Sequence, residues 1–332
     1  MPARSEIAVF IRTFYHLISI ARKLHQNEEL AINPDYSLYA FDSTTIALSL
    51  SLFPWAYFRK TKAAIKMHIL LDLRGSIPTF ISLTTGKVHD VNILDIPPLE
   101  KDAVKAMDRG YIDFSGLYSL NLSPAFFVIR AKSNLRFRRL YSREADKTLG
   151  FRSDQNLIIT GKKSRSAYPE TLRRVSYVDL GKNKHYVYLT FTAPAKTVAY
   201  IYKQRWQVEL FFRWIKQHLR IKTFYGTSPN AVKTQIWIAV SIYLMVAILK
   251  KRLDLPGSLH TILQIPEVNI FDKRSIIQIV KDAYKQEPVL CNQLNLFNSE
   301  PDRREREITS PRSQGRGIGL FTRTATLPTA KR

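Results

Sequence analysis

The chain has 332 residues, and its 51 Lys or Arg against 27 Asp or Glu give a formal net charge of +24. A hydrophobic fraction of 45%, with 11% aromatic, supplies a full core; this excludes a disordered basic tail and leaves a globular chain of one large domain or two. The charge points to a polyanionic partner, nucleic acid first, with a ribosomal or membrane-surface protein as the plainer alternative, and the single Cys291 excludes an intramolecular disulfide and a cysteine-rich zinc site.

Residues 5–31 place Ile7, Phe10, Ile11, Phe14, Leu17 and Ile18 at helical spacing. The stretch carries Arg12 and His16 and has no cleavage signature, so it reads as a helix and not a secretory signal. Leu38–Phe41 is a short apolar run that closes on Asp42-Ser43-Thr44. Arg59, Lys60, Lys62 and Lys66 form a basic patch that favours DNA-backbone contact over plain solvated charge. Lys66–Leu73 and Ile77–Thr84 are β-rich around Arg74-Gly75-Ser76, a hairpin signal. His89-Asp90 fits a group supporting a site, a DNA-facing group or a plain surface turn. Pro97-Pro98 opens a helix through about Lys105. Ala106–Asp108 then reads as a strand meeting Arg109-Gly110, where glycine after the acid frees the backbone to turn. Phe114–Leu122 predicts a helix and Phe126–Ala131 a strand. Taken singly, a strand-end Asp such as Asp42 or Asp108 is more often a turn residue than a metal ligand.

Between Arg130 and Lys184 there are fifteen Lys or Arg against five Asp or Glu, and strand patterns recur at 157–160, 172–178 and 185–191. This basic β-rich block interrupts an α/β chain. A helix is expected from Ala195 to about Leu219. Its turn spacing puts Tyr202, Arg205, Glu209 and Lys216 within roughly 60° of each other, beside the apolar stripe Ile201, Val208, Phe211, Phe212, Ile215 and Leu219. A carboxylate can hold a divalent ion and the flanking cations can hold phosphates, the chemistry of phosphodiester cleavage. The same face also fits a solvated amphipathic helix with ordinary ion pairs. Thr227-Ser228-Pro229-Asn230 caps an apolar helix over 231–251, whose run Ile236–Leu249 is short for a membrane span and reads as core. Weaker helices follow over 261–284, and a polar, Arg-rich tail begins at Ser299.

The order strand–Asp42, hairpin, helix, strand–Asp108, helix, strand, insertion, helix–Glu209 is that of a ribonuclease-H-like core. The chain resembles DDE transposases of bacterial insertion sequences, above all the insertion-sequence-four family with its Tyr-x2-Arg-x3-Glu-x6-Lys signature, which residues 202–216 match without a gap. YAFDSTTIALSLSLFPWAYFRKTKAAIKMH, GKVHDVNILD and MDRGYIDF resemble the blocks around the family's two aspartates. The likeness runs from about Tyr36 to Phe297.

The resemblance implies Asp42, Asp108 and Glu209 as catalytic metal ligands for two Mg²⁺ ions, with Mn²⁺ able to substitute. It implies Tyr202, Arg205 and Lys216 as contacts to DNA near the scissile phosphate. Double-stranded DNA at the element's ends and target would be the partner, with a homodimer in the DNA complex, no membrane, and a cytoplasmic, nucleoid-associated place in a prokaryote. Five regions follow: 1–35 as the remnant of an N-terminal helical DNA-binding region, 36–131 as the first part of the core, 132–193 as the basic β-rich insertion, 194–298 as the second part with C-terminal helices, and 299–332 as a disordered tail. Family members carry a longer N-terminal stretch than the 41 residues before Asp42 here, and 35 residues follow Phe297, where the family's C-terminus is expected. A truncated, inactive DNA-binding remnant and a nuclease on the same core are the rival readings.

Overall fold

A computed structural model describes residues 3–28, 37–94, 100–123, 125–190, 193–219, 221, 223–269 and 271–285. Met1–Lys281 forms one compact unit; of the second, Asp282–Arg332, only 282–285 are described. The expected tail over 299–332 lies outside the described residues.

The strands are β1 (Leu38–Leu48), β2 (Tyr57–Arg59), β3 (Lys62–Asp72), β4 (Ile77–Thr85), β5 (Ala103–Met107), β6 (Ala125–Arg130), β7 (Phe137–Arg143), β8 (Phe151–Ile159), β9 (Thr171–Asp179) and β10 (Lys184–Thr190). They form one sheet in the order β2-β3-β1-β5-β6-β10-β9-β8-β7, with β4 also paired to β3. β1, β5 and β6 run parallel to one another. The remaining pairs are antiparallel.

The helices are α1 (Ala3–His25), α2 (Phe114–Leu122), α3 (Lys162–Ala167), α4 (Ala195–Gln204), α5 (Trp206–His218), α6 (Pro229–Arg252), α7 (Leu259–Val268) and α8 (Ile276–Lys285). One apolar core joins α1, α4, α5 and α6 to the sheet, through Phe14, Val198, Ile201, Val208, Ile215 and Val240 among others. A second core, with Tyr111, Leu117, Leu120 and Tyr168, covers the strands from α2 and its neighbouring turns. A sheet covered in this way needs central strands that are apolar on both faces, and all of β5, AVKAM, is buried.

The β3–β4 hairpin forms as the turn residues require. Gly75 sits at φ +76°, and a Cβ there would lie 2.4 Å from the His25 imidazole. Gly110 has no such need: its φ is outside the left-handed region and an added Cβ would meet open space. Ser228 caps α6 by accepting from the Ala231 amide. By length and composition α6 also passes as a membrane span. It packs on α1, where Phe14 meets Trp237 edge-on at 5.0 Å.

Three expectations are corrected. The helix expected from Pro97 through about Lys105 is not a helix where it is described: 101–102 form a turn and Ala103–Lys105 belongs to β5. Lys105 is buried there, its ammonium donating to the Leu94 carbonyl and lying 5.1 Å from the Phe41 ring centre. The single helix expected over 195–219 is two, with Arg205 as the joint: its amide reaches back to the Tyr202 carbonyl, and its carbonyl accepts from the Val208 amide, both three-residue steps. β1 does not close at Asp42; its pairing with β3 continues to Leu48. The basic block is β-rich, and it continues the main sheet, since β10 pairs with β6.

Candidate active site

The parallel pairing of β1 with β5 ends at Phe41 opposite Met107. Asp42 and Asp108 are the next residues of the two strands. Neighbouring strands are about 5 Å apart, so two acids leave the carboxyl edge of the sheet side by side. That edge is where open parallel sheets place their ligands.

α4 and α5 bring the remaining groups to it. Arg205 donates from Nη1 to Asp42 Oδ2 at 2.6 Å and from Nη2 to Glu209 Oε1 at 2.6 Å. Its Nε is buried with no hydrogen-bond partner. The Tyr202 hydroxyl donates to Asp108 Oδ1 at 3.3 Å, a long bond. Lys216 donates to the Thr44 hydroxyl and to the Thr45 carbonyl, the latter at 3.1 Å. The four residues of the helical stripe thus meet Asp42–Thr45 in the middle of β1, and Asp108, despite the joint at Arg205.

Electrostatics follow from burial. Burial pushes the Asp42 carboxyl up to about 6 against the pull of Arg205 and the Ser43 amide, with Glu209 and Asp108 adding to the rise. Burial would lower the Arg205 pKa, but Asp42 and Glu209 hold it above its ordinary value. Burial also raises the Tyr202 phenol, to about 12. That ring packs on Tyr188 at 4.8 Å, and Tyr188 in turn stacks near Tyr186, over which Arg130 lies at 5.3 Å. An aromatic row therefore leads from the acids onto β10.

A second polar cluster backs the first. Ser43, whose amide donates to Asp42 Oδ1, gives its hydroxyl to Asp90 Oδ1 at 2.6 Å. Asp90 is 3.2 Å from Lys66 Nζ and 3.6 Å from His68 Nδ1. His68 Nε2 pairs with the Thr84 hydroxyl at 3.0 Å. Tyr111, its ring 5.0 Å from that of Phe41, is raised by burial and by the nearby Asp42. Asp90 was visible in sequence as one of two options. His68 and Tyr111 were not, because an isolated His in KMHIL and a Tyr in RGY look like ordinary strand and turn residues.

Arg59, Lys60 and Lys62 lie elsewhere, exposed around the β2–β3 turn. Six residues along β1 from Asp42 to Leu48, at about 3.3 Å each, put that turn roughly 20 Å away. Lys66, grouped with them in sequence, is committed to Asp90 and the Val88 carbonyl.

The all-oxygen donor set of Asp42, Asp108 and Glu209 suits Mg²⁺ or Mn²⁺. Among the described residues no three His, Cys, Asp or Glu groups are gathered closely enough to hold a metal. The point between Asp42 and Glu209 already carries a cation, the Arg205 guanidinium, so the acids fit a positive charge there.

The family model of the transposase DDE domain matches residues 33–245, and the chain belongs to that family. It is similar to y4zB, named as a transposase in Sinorhizobium fredii, with 33% identity over 83% of this chain and 77% of that one. It is also similar to the protein named as transposase of insertion sequence element IS5377 in Geobacillus stearothermophilus, at 30% over 69% of this chain and 61% of that one. A third relative is named as transposase of element IS4SA in Synechocystis, at 22% over 70% of this chain and 66% of its own length. The chain thus spans under two thirds of the last two. Among solved structures, the piggyBac transposase synaptic complex with hairpin DNA aligns with a TM-score of 0.40 and 14% identity, over 82% of this chain and 59% of that one, too distant to carry an argument.

Proposed function

We propose that the chain is an insertion-sequence transposase that cuts DNA at the element's ends and joins them to a target in a metal-dependent reaction. The observation that carries this reading is the meeting of Asp42, Asp108 and the Glu209 helix at one carboxyl edge of a sheet in which β4, β3, β1, β5 and β6 stand side by side. That order, with two antiparallel and two parallel pairings, supports a ribonuclease-H-like core with strands β7–β10 as its insertion.

Asp42, Asp108 and Glu209 would hold two Mg²⁺ ions. Such ions lower the pKa of an attacking hydroxyl and neutralise charge in an in-line displacement. Arg205, between two of the acids, would turn its guanidinium to the scissile phosphate, which it can grip bidentately. Lys216, held at Thr44 and Thr45, would place a point charge on the neighbouring phosphate. Tyr202 would orient Asp108 and offer a ring edge to DNA. Arg59, Lys60 and Lys62 would contact the duplex backbone further out. Two copies on paired DNA ends, in the cytoplasm and on the nucleoid, complete the reading.

The test is a Mg²⁺-dependent cleavage assay on end-containing DNA with a target plasmid present. Cleavage with joined product supports the transposase. Cleavage without joining identifies a nuclease on the same core, and binding without cleavage a DNA-binding remnant.

A further inference from the structure

Past Phe41, β1 loses its neighbour on one side. Its pairing with β5 stops there, while its pairing with β3 continues to Leu48. From Asp42 on, β3 is the one strand paired with it among the described residues. Asp42 and Ser43 are consecutive strand residues, so their side chains leave opposite faces of the sheet. Asp42 turns to Arg205 and α5. Ser43 turns to the face of Phe41, where the second core lies.

On that face Ser43 meets a polar cluster. Its hydroxyl donates to Asp90 Oδ1 at 2.6 Å, and Asp90 opens the short turn Asp90–Ile93. In β3, His68 stands directly opposite Ser43, and Lys66 opposite Thr45. Lys66 Nζ is 3.2 Å from the same Asp90 oxygen and donates to the Val88 carbonyl, which fixes the segment leading into Asp90. His68 Nε2 pairs with the Thr84 hydroxyl of β4. Its Nδ1 is buried without a hydrogen-bond partner and faces Asp90 at 3.6 Å. Asp90 thus links β1 to two residues of β3 and, through His68, to β4.

Apolar side chains would stabilise that face more than a largely buried lysine, a carboxylate and a histidine with an unpaired nitrogen. What the polar set does, and an apolar set cannot, is hold the Ser43 hydroxyl in one direction. The amide of the same residue donates to Asp42 Oδ1 at 2.8 Å. That bond stays with Asp42 when Arg205 turns to phosphate. The route from the cluster to the acids is therefore the Ser43 backbone.

We propose that Asp90 is a positioning residue: through the Ser43 hydroxyl it fixes the Ser43 amide, and that amide fixes the Asp42 carboxylate in the direction that receives metal. The proposal rests on the reading of the chain as a metal-dependent DNA-cutting enzyme and adds to it a residue outside the three acids.

Two titrations of the full chain with end-containing DNA test it. One follows cleavage against Mg²⁺ concentration; the other follows Mn²⁺ binding by the electron paramagnetic resonance signal of the free ion. Asp90→Ala and Ser43→Ala should each raise both midpoints about tenfold, with cleavage at saturating Mg²⁺ and DNA affinity within about threefold of wild type. The double variant should be no worse than either single one, because the two residues form one link. Restoring the hydroxyl with Ser43→Thr should bring both midpoints back. Ser43→Ala removes a hydroxyl alone, so it carries the test if Asp90→Ala fails to fold. Unchanged midpoints in Ser43→Ala, even with weaker resistance to urea, would make the cluster a packing device and overturn the proposal. Additive losses in the double variant would overturn it too. A wild-type chain that neither cleaves DNA nor takes up Mn²⁺ would overturn the metal-dependent reading itself.

Discussion

Arg205 and Asp42, 163 residues apart in sequence, share a 2.6 Å ion pair at the carboxyl edge of the sheet. The same guanidinium holds Glu209, one helical turn further on. Two acids from distant parts of the chain are thus drawn to one positive charge. Burial has already pushed Asp42 up to about 6, so its ionised form depends on that charge or on another that replaces it. The arrangement makes Arg205 the resident counter-ion of the site.

Arg205→Ala should therefore leave two neighbouring carboxylates uncompensated. The pair is partly open to solvent, at 11% and 18% side-chain exposure, so the cost should be about 1–3 kcal/mol, below that of a fully buried pair. Adding Asp42→Asn should return part of the loss, with a coupling of about 1 kcal/mol or more in a urea-unfolding cycle at neutral pH. Additive effects would show that the pair contributes nothing of its own.

His68 gives a pH test. It is fully buried, and burial pushes its imidazole down to about 4 against the pull of Asp90, with Lys66 lowering it further. As pH falls below about 6.5 the unfolded chain takes up this proton first, so His68 removes stability progressively down to about 4 and contributes nothing to the slope above 6.5. Asp42 works the other way: held near 6 when folded, it binds its proton more tightly in the native state, so stability falls as pH rises from about 4 to 6. Only the difference between wild type and His68→Gln isolates the histidine. That difference should shift in favour of the variant between pH 7.5 and 5, read by urea unfolding at each. A difference that does not change with pH would show that His68 titrates normally.

Arg173 and Asp154 form a buried bidentate pair, with nitrogen–oxygen distances of 2.8 and 2.6 Å, and Arg173 also donates to the Ala193 carbonyl just before α4. The pair ties β8 and β9 to the entry of the helix that carries Tyr202. Arg173→Ala should cost about 3–5 kcal/mol, since it leaves a buried carboxylate with only the distant Arg143, 4.0 Å away. Arg173→Met with Asp154→Leu should recover most of that in chemical denaturation. A small loss in the single variant would mean that water reaches Asp154.

Where the chemistry is local, the sequence was legible. Arg74-Gly75-Ser76 marked the hairpin, Ser228 marked the start of α6, and 114–122 marked α2. Long-range pairing was hidden. β1 runs on past Asp42 because β3 lies beside it, and nothing near Asp42 shows that partner. Lys105 breaks the apolar pattern of β5, and what reconciles it with burial is a carbonyl at Leu94 and a ring at Phe41. The joint at Arg205 leaves the helical spacing almost unchanged, so a single helix was the simpler reading. At the site, the Tyr202–Lys216 stripe was readable from spacing alone. His68 depends on the β1–β3 register, which single-residue patterns do not carry.

The most direct test of the account is to replace Asp42 and Asp108 by Asn and Glu209 by Gln, one at a time, and to measure Mg²⁺-dependent cleavage of end-containing DNA beside binding of the same DNA. The expected result is loss of cleavage in all three variants, by about a thousandfold or more, with DNA affinity kept within a few-fold of wild type, since removing a metal-holding acid removes the chemistry and leaves the basic surface intact. Cleavage that survives any one of the three substitutions at near wild-type rate would contradict the three-acid site.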